Sequence, residues 1–214
     1  MHKAAMLVAA AAVAVAAMLP ASAAPARDIP AAIYTDPAPD TTNPARMEVL
    51  HIPSGNVAIN GLAYLAAGKG PHPTVIICHG WPGNEKNLDL AQAVRRAGWN
   101  AITFNYRGAW GSPGSFRFAQ NPQDAKAVLA FLRDPAAAAR LGVDTTRIAM
   151  IGHSMGGWVT TLVAGQDDSL IGAGLISAAN MGVMRGSIAT ASSSSLRRVP
   201  RRSPIRRPNA WQMS

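Results

Sequence analysis

Ile148-Ala149-Met150-Ile151-Gly152-His153-Ser154-Met155-Gly156-Gly157 is the stretch on which the reading of the fold turns. An apolar run ends in a small–x–Ser–x–small turn, and Trp158-Val159-Thr160-Thr161-Leu162-Val163-Ala164 follows as a small-residue helix. The pattern predicts a serine at the apex of a tight strand-to-helix turn, the geometry of a nucleophile elbow. Such a turn holds Ser154 at positive φ, which is costly for any residue but glycine. It also presses the residues two before and two after the serine against neighbouring backbone, so Gly152 and Gly156 carry no side chain. The N-terminus of the next helix offers unpaired N–H groups and a positive dipole end to a developing oxyanion.

Upstream, Thr74-Val75-Ile76-Ile77-Cys78 is a continuous apolar run, as expected of a strand buried on both faces of a parallel sheet. It ends in His79-Gly80-Trp81-Pro82-Gly83. Asn84 then reads as the cap of a helix with apolar Leu90, Ala93, Val94 and Ala97, closed by Gly98. A strand over 99–105 runs into a glycine-rich loop, Tyr106-Arg107-Gly108-Ala109-Trp110-Gly111-Ser112-Pro113-Gly114-Ser115. Asn121-Pro122-Gln123-Asp124 has the form of a helix start: a cap, a proline and an acid near the dipole. Asp134-Pro135 stops that helix or shifts it into a second one, and Asp144-Thr145-Thr146 turns the chain into the elbow strand. Residues 169–177 read as one more buried strand. Before all of these, 46–52 and 57–66 form a probable hairpin around Pro53-Ser54-Gly55-Asn56, with His51 on a strand face. Strand and helix alternating over 74–177 predict a doubly wound α/β sheet, whose sites lie at the carboxyl ends of its strands. The loops 79–83, 105–115 and 152–156 qualify.

The two ends differ from this core. Met1-His2-Lys3, an apolar stretch from Ala4 to Leu19 and Ala21-Ser22-Ala23 read as a signal peptide over 1–23, implying a periplasmic or secreted protein without a stable membrane anchor. Residues 24–45, rich in Pro, Ala, Asp and Thr, read as a linker, and 46–184 as the catalytic-type core. The formal charge of +9 is uneven. Residues 185–214 hold seven arginines and no acid; with these and Lys3 set aside, twelve basic residues face all eleven acidic ones. A nearly neutral body argues against nucleic acid as a partner. The tail itself, with Ser192-Ser193-Ser194-Ser195 and three Arg-Arg pairs among prolines, has the composition of a disordered segment. A single cysteine, Cys78, excludes an internal disulfide and reads as a buried hydrophobe. No His/Cys cluster has metal-ligand spacing, and no cofactor is implied.

Three pieces together resemble the α/β-hydrolase family: His79-Gly80-Trp81-Pro82-Gly83, Asn105-Tyr106-Arg107-Gly108 and Gly152-His153-Ser154-Met155-Gly156-Gly157. Asp144-x-x-Arg147-Ile148 looks like the prolyl-oligopeptidase-like and dienelactone-hydrolase-like branches. The resemblance implies an eight-stranded, mostly parallel sheet with helices on both faces. It implies a serine hydrolase acting on an ester, thioester or amide of a small molecule or peptide, with Ser154 as nucleophile. The backbone N–H groups of Met155 and Trp81 would form the oxyanion hole. Tyr106, Arg107 and Trp110 either shape the pocket or pack the base of their loop.

The family's triad runs Ser, then Asp or Glu, then His. Here His2, His51, His72, His79 and His153 all precede Ser154, and no acid follows Asp168. His79 reads as structural, and His153 should leave the elbow in another direction, so no general base or triad acid is found. The missing acid, the missing histidine and the abrupt change of composition lead to the expectation of a C-terminally truncated fold, lacking the last strands and helices. Residues 170–176 would then be an uncovered edge, open to self-association. Two alternatives to the active hydrolase stand beside it: a catalytically impaired fragment, and a binding module working through its basic tail.

Overall fold

A computed structural model of the chain describes residues 28–181. The signal peptide expected at 1–23 and the basic tail at 185–214 lie outside the described residues. Residues up to Ala31 and residues from Ala32 onward form separate contact units, and everything below concerns the second.

Among the described residues six strands form one sheet in the order β1-β2-β4-β3-β5-β6. β1 (Arg46–Ser54) and β2 (Val57–Leu65) pair antiparallel from Arg46↔Leu65 to Ser54↔Val57, so the connecting turn is Gly55-Asn56 alone. β2 pairs antiparallel with β4 (Asn100–Phe104). From there β4, β3 (His72–Cys78), β5 (Val143–His153) and β6 (Gly172–Ile176) run parallel. Between His72 and Thr74 the β3/β5 register slips, and the excess residues of β5, Asp144 to Arg147, bulge outward. Asp144 closes the bulge: its carboxylate accepts from the Thr146 N–H (3.0 Å) and hydroxyl (2.6 Å) and from Arg147 Nε (2.6 Å). These donors hold its pKa down at about 2.

Helices cover both faces, and the period of two along the strands sorts the core between them. Ile76, Cys78, Ile102, Phe104, Ile148 and Met150 face α2 (Asn121–Arg133), α3 (Pro135–Leu141) and α4 (Met155–Ala164). Val75, Ile77 and Ala101 face α1 (Leu88–Arg96), which buries Ala91 against them and adds Leu90 and Val94. Each large aliphatic side chain so buried stabilises the fold by roughly 1.5–3 kcal/mol. The second face is thinner. Ala149 and Ile151 of β5 stay only partly buried there.

Four local expectations change. α1 begins at Leu88, not after Asn84: Asn87 is its N-cap at φ 54, and the segment before it remains loop. Gly98, at φ +85, ends the helix as expected. Asn121 lies inside α2 and does not cap it; its Nδ2 donates to Met155 Sδ at 3.2 Å. Asp124 stands in the first turn of α2 as expected, but its carboxylate is fully buried and bound to Ser54 and Arg107 instead of being left to the helix dipole. Finally β6 is not buried: Leu175 is 53% and Ile176 39% exposed, because no described strand or helix covers its outer side. Asp134, by contrast, caps α3 through the N–H groups of Ala136 and Ala137 (3.1 and 3.0 Å).

Residues 32–45 run along the core. Asp36 accepts from Arg95 Nη2 (2.5 Å) and Arg96 Nε (3.2 Å), and Gly68 N–H donates to the Asn43 carbonyl (2.9 Å). No helix among the described residues is long and apolar enough to cross a membrane.

Candidate active site

The loops at the carboxyl ends of β3, β4 and β5 meet around Ser154. The serine has φ 53 and ψ −119, outside the regions open to ordinary L-residues. Its neighbours hold it there. The Ser154 N–H donates to the Ile176 carbonyl (2.9 Å), and the Ser154 carbonyl accepts from the N–H groups of Gly157 (3.0 Å) and Ala179 (2.8 Å). A Cβ on Gly152 would overlap the Gly156 carbonyl, and a Cβ on Gly156 would overlap the Cys78 carbonyl. Both glycines are therefore required by close approach, as the spacing predicts. Met155 opens α4, where the first N–H groups have no partner within the helix.

Strain of this kind costs of order 1–3 kcal/mol, while a glycine gives back about 0.5–1 kcal/mol in unfolded-state entropy. Ser154→Gly is therefore expected to stabilise the fold by about 1 kcal/mol, raising Tm by roughly 2–4 °C. Thermal unfolding followed by circular dichroism checks this, and a lowered Tm would show that the serine is not held against its preference.

The loop after β3 touches the elbow directly. A Cβ on Gly80 would lie 3.0 Å from Ser154 Cβ and 3.3 Å from His153 Nδ1. Trp81 follows at once in the chain, and its indole is 53% exposed. The indole stacks on Phe116 (centroids 4.4 Å apart, planes at 29°), and Phe118 meets both rings edge-on at 5.6 and 5.1 Å. This aromatic cluster was not foreseen; the nearest signal was Phe116-x-Phe118 just beyond the glycine-rich loop.

His79 is buried beneath this loop. Its Nδ1 donates to the Gly80 carbonyl at 2.7 Å, which leaves Nε2 unprotonated, buried and without a hydrogen-bond partner among the described residues. Burial depresses its pKa below 6.5; the Gly80 bond opposes this and the charge of Lys86 adds to it. A histidine kept neutral in the fold contributes its full stability above about pH 6.5 and loses it as pH falls through the depressed folded value. Urea unfolding between pH 7.5 and 5.5 is expected to show falling stability toward acid, with a shallower slope in His79→Gln. Equal slopes in both proteins would remove His79 as the cause.

The three residues considered for the pocket divide. Tyr106 is fully buried, edge-on to His79 at 4.7 Å, and packs the base of the loop. Arg107 is held by Asp124, with Nε to Oδ1 at 2.6 Å and its own N–H to Oδ2 at 3.0 Å. Ser54 Oγ donates to the same carboxylate at 2.6 Å, so Asp124 ties the β1–β2 turn, the loop after β4 and α2 together. Trp110 alone is exposed; its Nε1 donates to the Pro82 carbonyl (2.6 Å), and Lys86 Nζ sits 5.3 Å over its ring. Cys78 is fully buried, and burial pushes its thiol up to about 12, so it is a packing residue.

The other histidines stand elsewhere. His51 is exposed on β1, with Nδ1 3.2 Å from Asn60 Oδ1. His72 lies at the start of β3, bound to the carbonyls of Gly98 and Gly68. His153 Nδ1 is buried without a partner among the described residues. No described histidine hydrogen-bonds to Ser154. No group of three metal-ligating side chains occurs among the described residues.

A family model for the alpha/beta hydrolase family matches residues 75–214. The chain belongs to the α/β-hydrolase family. Two uncharacterised proteins of Mycobacterium tuberculosis are each 28% identical to it over 131 residues, 61% of this chain and 45% of their own length. The matched part of the chain thus spans less than half the length of the curated relatives it matches. Among solved structures, the thermostable carboxylesterase EstE1 from a metagenomic library superimposes with a TM-score of 0.54 at 24% identity, over 64% of this chain and 48% of that one. The Pyrococcus furiosus esterase Pf2001 does so with a TM-score of 0.54 at 19% identity, over 72% and 60%. These two likenesses establish the α/β-hydrolase fold, here as a six-stranded mixed sheet with helices on both faces among the described residues.

Proposed function

We propose that this α/β-hydrolase cleaves an ester, thioester or amide through Ser154. The observation that carries the reading is the conformation of Ser154, φ 53 and ψ −119, on a turn whose flanking glycines admit no side chain. Strain concentrated on a serine just past the carboxyl end of β5, a strand paired on both sides, is what a nucleophile role requires. In the reaction Oγ attacks the acyl carbon and its proton passes to the leaving group. The oxyanion is held by the N–H groups of Met155 and Trp81, and water then hydrolyses the acyl-serine. One such donor is worth about 3 kcal/mol of transition-state stabilisation. The solved carboxylesterase and esterase that share the fold make an ester the first substrate class to try. Export to the periplasm or medium belongs to the same reading and rests on residues 1–23. So does self-association through β6, whose Gly172, Ala173, Leu175 and Ile176 are exposed.

A second reading is favoured by the placement of the histidines, none of which hydrogen-bonds to Ser154 among the described residues. It is the catalytically impaired fragment, since loss of the base lowers the rate of acylation by several orders of magnitude and leaves only oxyanion and binding effects. Release of p-nitrophenol from p-nitrophenyl acetate separates the two. The hydrolase reading predicts sustained release that Ser154→Ala abolishes. The second predicts release no faster than that of Ser154→Ala. Equal release by wild type and Ser154→Ala contradicts the hydrolase reading and leaves the second standing.

A further inference from the structure

We propose that the ring cluster of Trp81, Phe116 and Phe118 is an aryl-binding subsite that gives the Ser154 site a preference for substrates carrying a flat aromatic group. The inference rests on the Ser154 reading for its meaning in catalysis, but its test does not depend on that reading.

Three observations support it. The cluster is preformed: Phe116 packs on the main core, and Trp81 stacks on it at 4.4 Å. It is also open, with 53% of Trp81 and 39% of Phe118 exposed in a chain that is only 6% aromatic. And its first member springs from beside the serine, because Gly80 approaches Ser154 Cβ so closely that the Cα of the next residue, Trp81, lies within about 8 Å of it. A ring attached to an acyl group or leaving group over Ser154 needs only a short spacer to reach the cluster.

The chemistry selects an aromatic occupant. The cluster already combines one stacked and two edge-on pairs, and an added ring extends both modes, whereas an aliphatic chain gains area alone. The other exposed indole by this loop, Trp110, is committed differently. Its N–H is held by the Pro82 carbonyl, and Lys86 lies over its ring.

The matched pair of naphthol and its saturated counterpart decalinol tests the subsite without any bond cleavage. Binding to the full chain is measured by calorimetry for wild type, Ser154→Ala, Trp81→Ala, Trp81→Phe and Phe118→Ala, with circular dichroism to establish that each variant folds. Naphthol is expected to bind at least about tenfold more tightly than decalinol. That preference should survive Ser154→Ala, collapse in Trp81→Ala and in Phe118→Ala, and return to within about threefold of wild type in Trp81→Phe. Equal binding of the two alcohols, binding of neither, or a preference unchanged in both alanine variants overturns the proposal. Aryl preference without serine reactivity would sink only the catalytic reading, and serine reactivity without aryl preference would sink only this one.

Discussion

Asp124→Ala is expected to bring the fold close to unfolding. The carboxylate is fully buried and accepts from Ser54 Oγ, Arg107 N–H and Arg107 Nε at 2.6, 3.0 and 2.6 Å. Removing it strands a guanidinium whose side chain is only 12% exposed. Breaking a buried pair from one side costs about 3–5 kcal/mol, against a total stability of roughly 5–15 kcal/mol for a domain. Arg107 retains a bond to Gln123 Oε1 at 3.0 Å, which recovers part of the loss. In Asp124→Ala/Arg107→Ala the two costs should fall short of additive by about 0.5–3 kcal/mol, because the second change removes the orphaned charge. Urea midpoints of the wild type, the single variants and the double variant check this. A loss below about 1 kcal/mol in Asp124→Ala, or strict additivity, would mean that the pair does not hold the loop.

Gly156→Ala is expected to be as damaging, for a different reason. Its Cβ would fall on the carbonyl of Cys78, the last residue of β3. That backbone cannot retreat easily, since Cys78 is in register with Gly152 across the β3/β5 ladder. Overpacking usually costs about 1–3 kcal/mol, and here the obstacle is main chain, so at least about 3 kcal/mol is expected. Gly172→Ala is the matched control: a Cβ there meets nothing within 4 Å, and a change within about 0.5 kcal/mol is expected. Chemical denaturation of both variants decides. A Gly156→Ala protein as stable as Gly172→Ala would mean that the elbow is not packed as described.

The elbow was legible in the sequence because its constraints are local. Gly152 is pressed on Gly156 four residues on, and Gly156 and Ser154 lean on the backbones of the adjoining strands β3 and β6, so the spacing carries most of the information. The β1–β2 hairpin, the Gly98 stop and the break into a second helix at Asp134-Pro135 were legible on the same ground. Asp124 was not. Its local setting, an acid in the first turn of a helix, suggests a dipole partner, whereas its role depends on Ser54 and Arg107, 70 and 17 residues away. The start of α1 was misplaced because Asn84 has the form of a cap. The chain instead stays in loop through Asn87, whose N–H is held by the Glu85 carboxylate at 2.5 Å. The exposure of β6 was not visible in its composition, because an apolar run specifies a strand but not how many neighbours cover it; it was legible only through the missing acid and histidine, which led to the expectation of an uncovered edge. The Trp81 cluster joins two loops 35 residues apart in sequence, a meeting that only the sheet order creates.

The central claim is that the fold aims Ser154 as a nucleophile. Intact-mass analysis after exposure to a fluorophosphonate probe tests it most directly, since the probe needs only an activated serine and an oxyanion hole. The expected result is a single adduct on native protein, mapped to Ser154, with none on Ser154→Ala and none on urea-unfolded wild type. Native protein that stays unmodified, or modification that persists in Ser154→Ala, would contradict it.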